Sequence, residues 1–359
     1  MINMINKQSN HKGLHGLSPY IGKIRPELAR SLVEEYCPKK GIIFDPFCGS
    51  GTVPLEGWLS GRNVIANDLN TYAIWLTKGK LFPILDEKKA QKRLLAYNEI
   101  IQKTKVKRSL PHWVRSFFHP KTLKEIICWV DILKSRREYF LLSSLLGILH
   151  HQRPGFLSFP SSHGTPYLRT NKFPVSEYPH LYEYRNVYER LSSKVARVFK
   201  DFPTVDAGLS RIVTNDCASK CRLKVKRVHM VLTSPPYMRA LTYARDNRLR
   251  LWFLGIEDYA SLDSKISPNK KEFELLMKKS FKRWSNFQRK HDKCVLVVGD
   301  MYFNKTTKQT LEDFVIMTSE KAGYRLFSTS RDPIPQKKRV IKKASAIKAE
   351  KILVLKKLK

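Results

Sequence analysis

The chain reads as an α/β protein: a seven-stranded sheet of the nucleotide-binding kind, with one large, mostly helical insertion between its second and third strands. Three observations predict this. An apolar run ends in an acid and breaks into glycines at "FDPFCGSGTV" (44–53). A second apolar run, "NVIAND", ends in another acid, Asp68, about twenty residues on, which is the spacing of a dinucleotide-type βαβ unit. The remaining strand-like apolar runs come only after residue 206.

Taken in order, "RPELARSLVEEY" predicts a helix, with Pro26 at its start and Leu28, Leu32 and Val33 on one face. "GIIFD" is the first strand, a helix follows near 52–60, and "NVIAND" is the second strand. From about Thr71 to Asp206 the pattern is helical and basic, as in "KKAQKRLLAYNEIIQK", "KTLKEIICWVDIL" and "YFLLSSLLGILHH". Within it, residues 153–174 hold four prolines and two glycines and must form a long loop. Strands return at "SRIVTND", "HMVLTSPPY" and "CVLVVGD". A helix is expected at about 307–322, and "YRLFSTS" and "KILVLKK" form a terminal hairpin. The catalytic-type core is thus 1–75 plus 207–359, and 76–206 is the insertion. Asp68 and Ser210, at its two ends, are expected near one edge of the sheet.

The glycine loop explains itself physically. Gly49 and Gly51 let the backbone approach a ligand with no Cβ in the way. The helix after them, "TVPLEGWLSG", presents free N–H groups to the same space. A second stretch, "TSPPY" (233–237), directly follows an apolar strand and therefore lies at the same sheet edge. Its prolines fix the backbone and remove two donors. What is left is rich in acceptors: the Ser234 hydroxyl and the Ser234 and Pro235 carbonyls, beside the Tyr237 ring. Such a cluster suits a flat group bearing an amine, as a nucleobase does.

Composition narrows the partner. Lys and Arg number 67 against 31 Asp and Glu, a formal charge of +36. A polyanion follows, most simply nucleic acid, although a ribosome-associated protein would share the trait. The charge is uneven: residues 1–75 carry 8 basic and 6 acidic groups, whereas 76–206 carry 24 and 11. Ligand crevice and polyanion surface are therefore expected to differ. The six cysteines are scattered, Cys217 and Cys221 lack a second pair, and no metal site is expected. A polar start and the lack of any long apolar run predict a cytoplasmic protein without a membrane span.

"DPFCGSGT" together with "TSPPY" resembles the amino-group DNA methyltransferases that use S-adenosylmethionine, most closely the cytosine-N4 type. The likeness covers roughly residues 15–75 and 207–359, including "LSPYIGKIRPELAR" (17–30), which is similar to that family's entry into the cofactor-wrapping helix. The glycine loop precedes the Ser234 motif, the unpermuted order. The resemblance implies a Rossmann-like methyltransferase sheet and S-adenosylmethionine held by Tyr20, Lys23, Asp45, Pro46, Phe47, Gly49, Ser50, Gly51, Thr52, Asp68, Asp216 and Thr233. Asp68 would take the ribose hydroxyls and Asp216 the adenine amine. It implies catalysis by Ser234, Pro235, Pro236 and Tyr237, with Tyr237 stacked on an extruded base. It also implies double-stranded DNA as substrate and admits a cognate restriction endonuclease as partner. Adenine N6 methylation, RNA methylation and a non-catalytic nucleic-acid-binding role stay open beside it, and oligomeric state is not indicated. Arg153, His163 and Arg169 in the insertion loop, and Arg245, Arg248 and Arg250 after the catalytic turn, are the candidate nucleic-acid contacts. The basic tail "RDPIPQKKRVIKK" adds charge without sequence readout.

Overall fold

The computed structural model describes residues 13–104, 110–153, 155–162, 164–238, 242–304, 306–334 and 349–359. The first five strands are β1 (Ile42–Asp45), β2 (Asn63–Asn67), β3 (Arg211–Thr214), β4 (Met230–Thr233) and β5 (Lys293–Gly299). All run parallel, with β4 and β2 on the two sides of β1. A two-stranded ribbon, β6 (Tyr302–Asn304) with β7 (Gln309–Thr310), follows; the sequence reading did not contain it. The last pair, β8 (Tyr324–Pro333) and β9 (Ala349–Lys357), is antiparallel, as the expected hairpin requires. β9 pairs antiparallel with β5, which completes seven strands in the order β3-β2-β1-β4-β5-β9-β8.

The strands lie where apolar runs demanded them because the central ones are covered on both faces. Met230, Val231, Leu232 and Thr233 of β4 are all buried, which is why the run is continuous rather than alternating. Successive residues feed opposite layers. Ile43, Met230, Leu232, Val295 and Val297 pack with Leu28, Leu32 and Val33 of helix Pro26–Tyr36. Phe44, Val231, Leu296 and Val298 pack with Phe273, Met277, Phe281 and Trp284 of helix Lys270–Ser285.

The insertion is helical as expected, with helices Glu87–Gln102, Pro120–Ser135, Tyr139–Gly147 and Val187–Phe199. It is not a separate body. Leu94, Trp129, Leu141 and Val187 share one core with Leu55, Trp58, Val64 and Tyr72 of the βαβ unit. Its ends do not return to one edge. Asp68 follows the carboxyl end of β2, whereas Ser210 pairs with residues at the amino end, through Ser210 N–H to Asn63 Oδ1 and Val64 N–H to the Ser210 carbonyl. Because β2 and β3 are parallel, the connection must cross the sheet to enter β3 from below. Among the described residues, no helix is long and apolar enough to cross a membrane.

Candidate active site

The order of strands reverses direction around β1, between β2 and β4, and the carboxyl ends there frame a crevice, the expected ligand position in an open α/β sheet. The glycine loop leaves β1 at this point. Gly49 and Gly51 both adopt left-handed φ, +47° and +72°. The Gly49 N–H donates to Asp68 Oδ2 and the Asn70 N–H to Oδ1, each at 2.8 Å. The Asp68 carboxylate is thereby locked at the end of β2. Burial raises its pKa to about 6.

The two glycines serve different purposes. A Cβ on Gly49 would stand 3.2 Å from the Tyr20 ring, which lines the crevice. A Cβ on Gly51 would meet Thr77 Oγ1 at 2.6 Å and the Thr77 Cα at 3.1 Å. Gly51 therefore lets the loop close onto helix Thr71–Leu81 (this corrects the expectation that it faces the ligand).

Asp45, at the end of β1, accepts from the Thr233 hydroxyl at 2.7 Å and from the Phe47 N–H at 3.2 Å. Burial raises its pKa to about 7. Thr233 is fully buried and acts through this bond, so it orients Asp45.

The crevice brings both motifs together: Pro46, Phe47, Gly49 and Asp68 face Ser234 and Pro236 across it. It continues into a smaller compartment with Lys23, Asp45, Ser50 and Thr52, again beside Ser234. Tyr20 stacks between Tyr72 and Tyr243, at centroid distances of 5.9 and 6.3 Å. Sequence reading missed Asn70, Cys217, Ala218, Tyr243 and Ile266, all of which line the crevice. Asn70 and Cys217 had a weak signal, being one or two residues beyond acids already singled out. Tyr243 and Ile266 had none.

Three expected residues are placed otherwise. Asp216 is exposed and its carboxylate accepts from the Cys217 N–H at 2.7 Å; its neighbours Cys217 and Ala218 face the crevice. Tyr237 is buried and donates its hydroxyl to Glu350 on β9 at 2.9 Å; the rings that line the crevice are those of Tyr20, Phe47 and Tyr243, not Tyr237. Arg250 is buried, with Nε on the Leu146 carbonyl at 3.0 Å and Nη1 on Asn247 at 3.1 Å, among the buried Trp252 and Phe253. Arg250 is thus a core cation, not a phosphate contact.

Of the remaining basic candidates, Arg248 ties the insertion loop to the segment after the Ser234 turn. Arg248 Nη2 donates to the Pro166 carbonyl at 2.5 Å, and Thr165 bonds Asp246. Arg169 donates to Gln152 at 2.6 Å, and the Arg153 N–H to His151 Nδ1 at 3.0 Å. The Arg245 N–H bonds Asp263 at 3.3 Å. His163 and the tail beyond residue 334 lie outside the described residues.

Residues 18–108, which carry Tyr20, Lys23, the glycine loop and Asp68, match the family model described as UPF0020, RMKL-like, methyltransferase domain. Part of the crevice therefore lies in a segment that matches a methyltransferase-domain model, and the lining suits a nucleotide-like ligand: a locked carboxylate at Asp68, apolar walls from Leu69, Ala218 and Ile266, and a polar lower compartment. The chain is 31% identical over 102 residues to the type II methyltransferase M.MjaII of Methanocaldococcus jannaschii, covering 28% of this chain and 18% of that one. It is 22% identical over 284 residues to the type II methyltransferase M.BsoBI of Geobacillus stearothermophilus, covering 71% and 55%. The chain thus spans between a fifth and about half the length of these relatives. Among solved structures, TrmN from Thermus thermophilus superposes with TM-score 0.39 at 10% identity over 97% of this chain and 53% of that one. The rRNA methyltransferase aviRa from Streptomyces viridochromogenes gives 0.39 at 12% over 97% and 94%. Both scores are too low to bear on substrate.

Proposed function

We propose that the protein transfers a methyl group from S-adenosylmethionine to an exocyclic amine of a nucleic-acid base, with cytosine N4 in DNA as the favoured target. The observation that carries this reading is that Ser234 and Pro236 line the same crevice as Gly49 and Asp68, so an acceptor-rich turn and a cofactor loop share one space. The two relatives named type II methyltransferases support it. So does the Ser at position 234, where the adenine-N6 relatives more often have Asp.

S-adenosylmethionine, when bound, supplies an electrophilic methyl group on sulfur. Asp68 holds the ribose end, and Lys23, Asp45, Ser50 and Thr52 hold the methionine end. The Ser234 hydroxyl and the Pro235 carbonyl accept the two amine protons of the target, which turns the nitrogen lone pair out of the ring plane. Such a displacement depends on alignment more than on acid–base chemistry. Tyr243, backed on one side by Tyr20, leaves its other side for a base taken out of its stack. The contacts of Arg248 and Thr165, which tether the insertion loop beside the Ser234 turn, support a role for that loop in choosing the target.

The test is calorimetric binding of S-adenosylmethionine, followed by incubation with DNA and with RNA and mass spectrometry of the released nucleosides. N4-methylcytosine in the DNA arm is the expected product. Methylated nucleosides in the RNA arm alone would overturn the DNA assignment, and cofactor binding without any product would overturn the reaction.

A further inference from the structure

A second concavity lies at the amino end of β5 and the adjoining ends of β8 and β9, the opposite end of β5 from the catalytic edge. Lys290, His291, Arg325, Phe327, Lys356 and Leu358 line it. Its strand register is unfavourable on its own. Lys293 on β5 stands directly opposite Lys356 on β9, and Lys356 stands directly opposite Arg325 on β8. Directly opposed residues of antiparallel neighbours share a face, their Cβ atoms about 5 Å apart, so three cations form a row across three strands. Like charges so placed repel one another. The adjacent carboxylate, Asp292, is buried and taken by Arg227 at 2.6 Å, so it does not neutralise the row. The neighbouring field is visible at His291, whose pKa is lowered chiefly by Lys356.

An aromatic ring completes the feature. Phe327 is 56% exposed, and Lys293 Nζ stands 4.6 Å from its centroid. A row of cations needs an anion whose charges repeat along a line, and an exposed ring beside it suits the face of a base. We propose that this cation ladder is a second nucleic-acid contact, holding the sugar–phosphate strand that flanks the target. The proposal rests on the nucleic-acid reading of the active site. β5 runs from Lys293 to Gly299, roughly 20 Å at the usual rise per residue, so only a strand longer than that can touch both ends.

The probe is a fluorescein-labelled 30-nucleotide single-stranded DNA, read by anisotropy across a salt series with no methyl donor present. The triple variant K290E/R325E/K356E should bind about tenfold more weakly, and its plot of log affinity against log salt should flatten by about 2, since each phosphate contact on a single strand contributes roughly 0.7. The milder R325A/K356A should shift both in the same direction, which guards against a misfolded triple variant. A control of equal charge change on helix Lys270–Ser285, K271E/K279E/K282E, should stay close to wild type. Equal losses in ladder and control variants would reduce the effect to net charge and overturn the proposal. Adenosine monophosphate tested as a direct ligand distinguishes a free nucleotide from a strand: binding of it that depends on the ladder, with no strand binding, also overturns the proposal. Because no methyl transfer is read, a chain that binds the strand here but methylates nothing would fail the proposed reaction alone.

Discussion

Tyr237 donates its hydroxyl to Glu350 across 2.9 Å, joining the turn after β4 to strand β9, 113 residues away. This bond fixes the turn that carries Ser234. Glu350 is itself opposite Asp332 on β8, and Asp332 is gripped by Arg25 Nη2 at 2.6 and 2.7 Å. The expected outcome for Tyr237→Phe, which keeps the ring and removes the hydroxyl, is about a tenfold fall in kcat with cofactor Kd unchanged, the worth of one hydrogen bond. Glu350→Gln retains an acceptor and should lose less. Steady-state kinetics beside calorimetry decides it; an unaltered kcat in the Phe variant means that the bond only braces the fold.

On the proposed reaction, Ser234→Ala removes an acceptor for the target amine. Turnover should drop by about 10- to 100-fold while S-adenosylmethionine affinity holds. Equal losses in the two quantities would make Ser234 a structural residue.

The glycine loop separates fold from ligand. Gly51→Ala places a Cβ against Thr77 in a left-handed conformation, so it should lower stability by about 1–3 kcal/mol as well as weaken cofactor binding. Gly49→Ala presses on the Tyr20 ring and should weaken the cofactor more than it lowers the melting temperature. Thermal melts paired with calorimetry on both variants check this, and a Gly51 variant of native stability would contradict it.

Asp45 carries a pH signature. Its carboxyl titrates at 3.8 ordinarily and at about 7 in the folded chain. Between those values the folded state binds more protons than the unfolded one, so stability falls as pH rises through that window and levels off above about 7. Asp45→Asn should therefore raise the melting temperature of the cofactor-free protein at pH 8, by up to about 4 kcal/mol of stability, and leave it nearly unchanged at pH 4. The same variant should bind S-adenosylmethionine poorly at either pH. Melts at the two pH values test the sign.

The proposed role of the insertion loop in target choice has its own test. Replacing Arg153 and Arg169 by alanine should change which sites are methylated, as read by sequencing methylated DNA. A uniform fall in activity with site choice intact would leave the loop with phosphate contacts alone.

Much of this was legible in the chain. The parallel strands were found because continuous apolar runs such as "MVLT" arise when a strand is buried on both faces. Gly49 and Asp68 were found because a βαβ unit puts a tight turn and an acid at a nearly constant spacing. These are local properties, set by backbone conformation and by which side chains tolerate burial. Tyr243 and Ile266 were invisible, because they reach the crevice from helices after the catalytic turn that obey no ligand-binding pattern of their own.

By itself, then, the sequence determined the α/β class, the seven strands, the two motifs and their meeting at one edge. Only the tertiary structure decided that Gly51 answers to Thr77, that Tyr237 answers to Glu350, and that the insertion enters β3 from the far edge. It also decided that Lys293, Lys356 and Arg325 stand in one row. Each of these is a pairing between distant segments. Strand register and helix docking set such pairings, and both are fixed by the packing of the whole core rather than by the residues beside each partner.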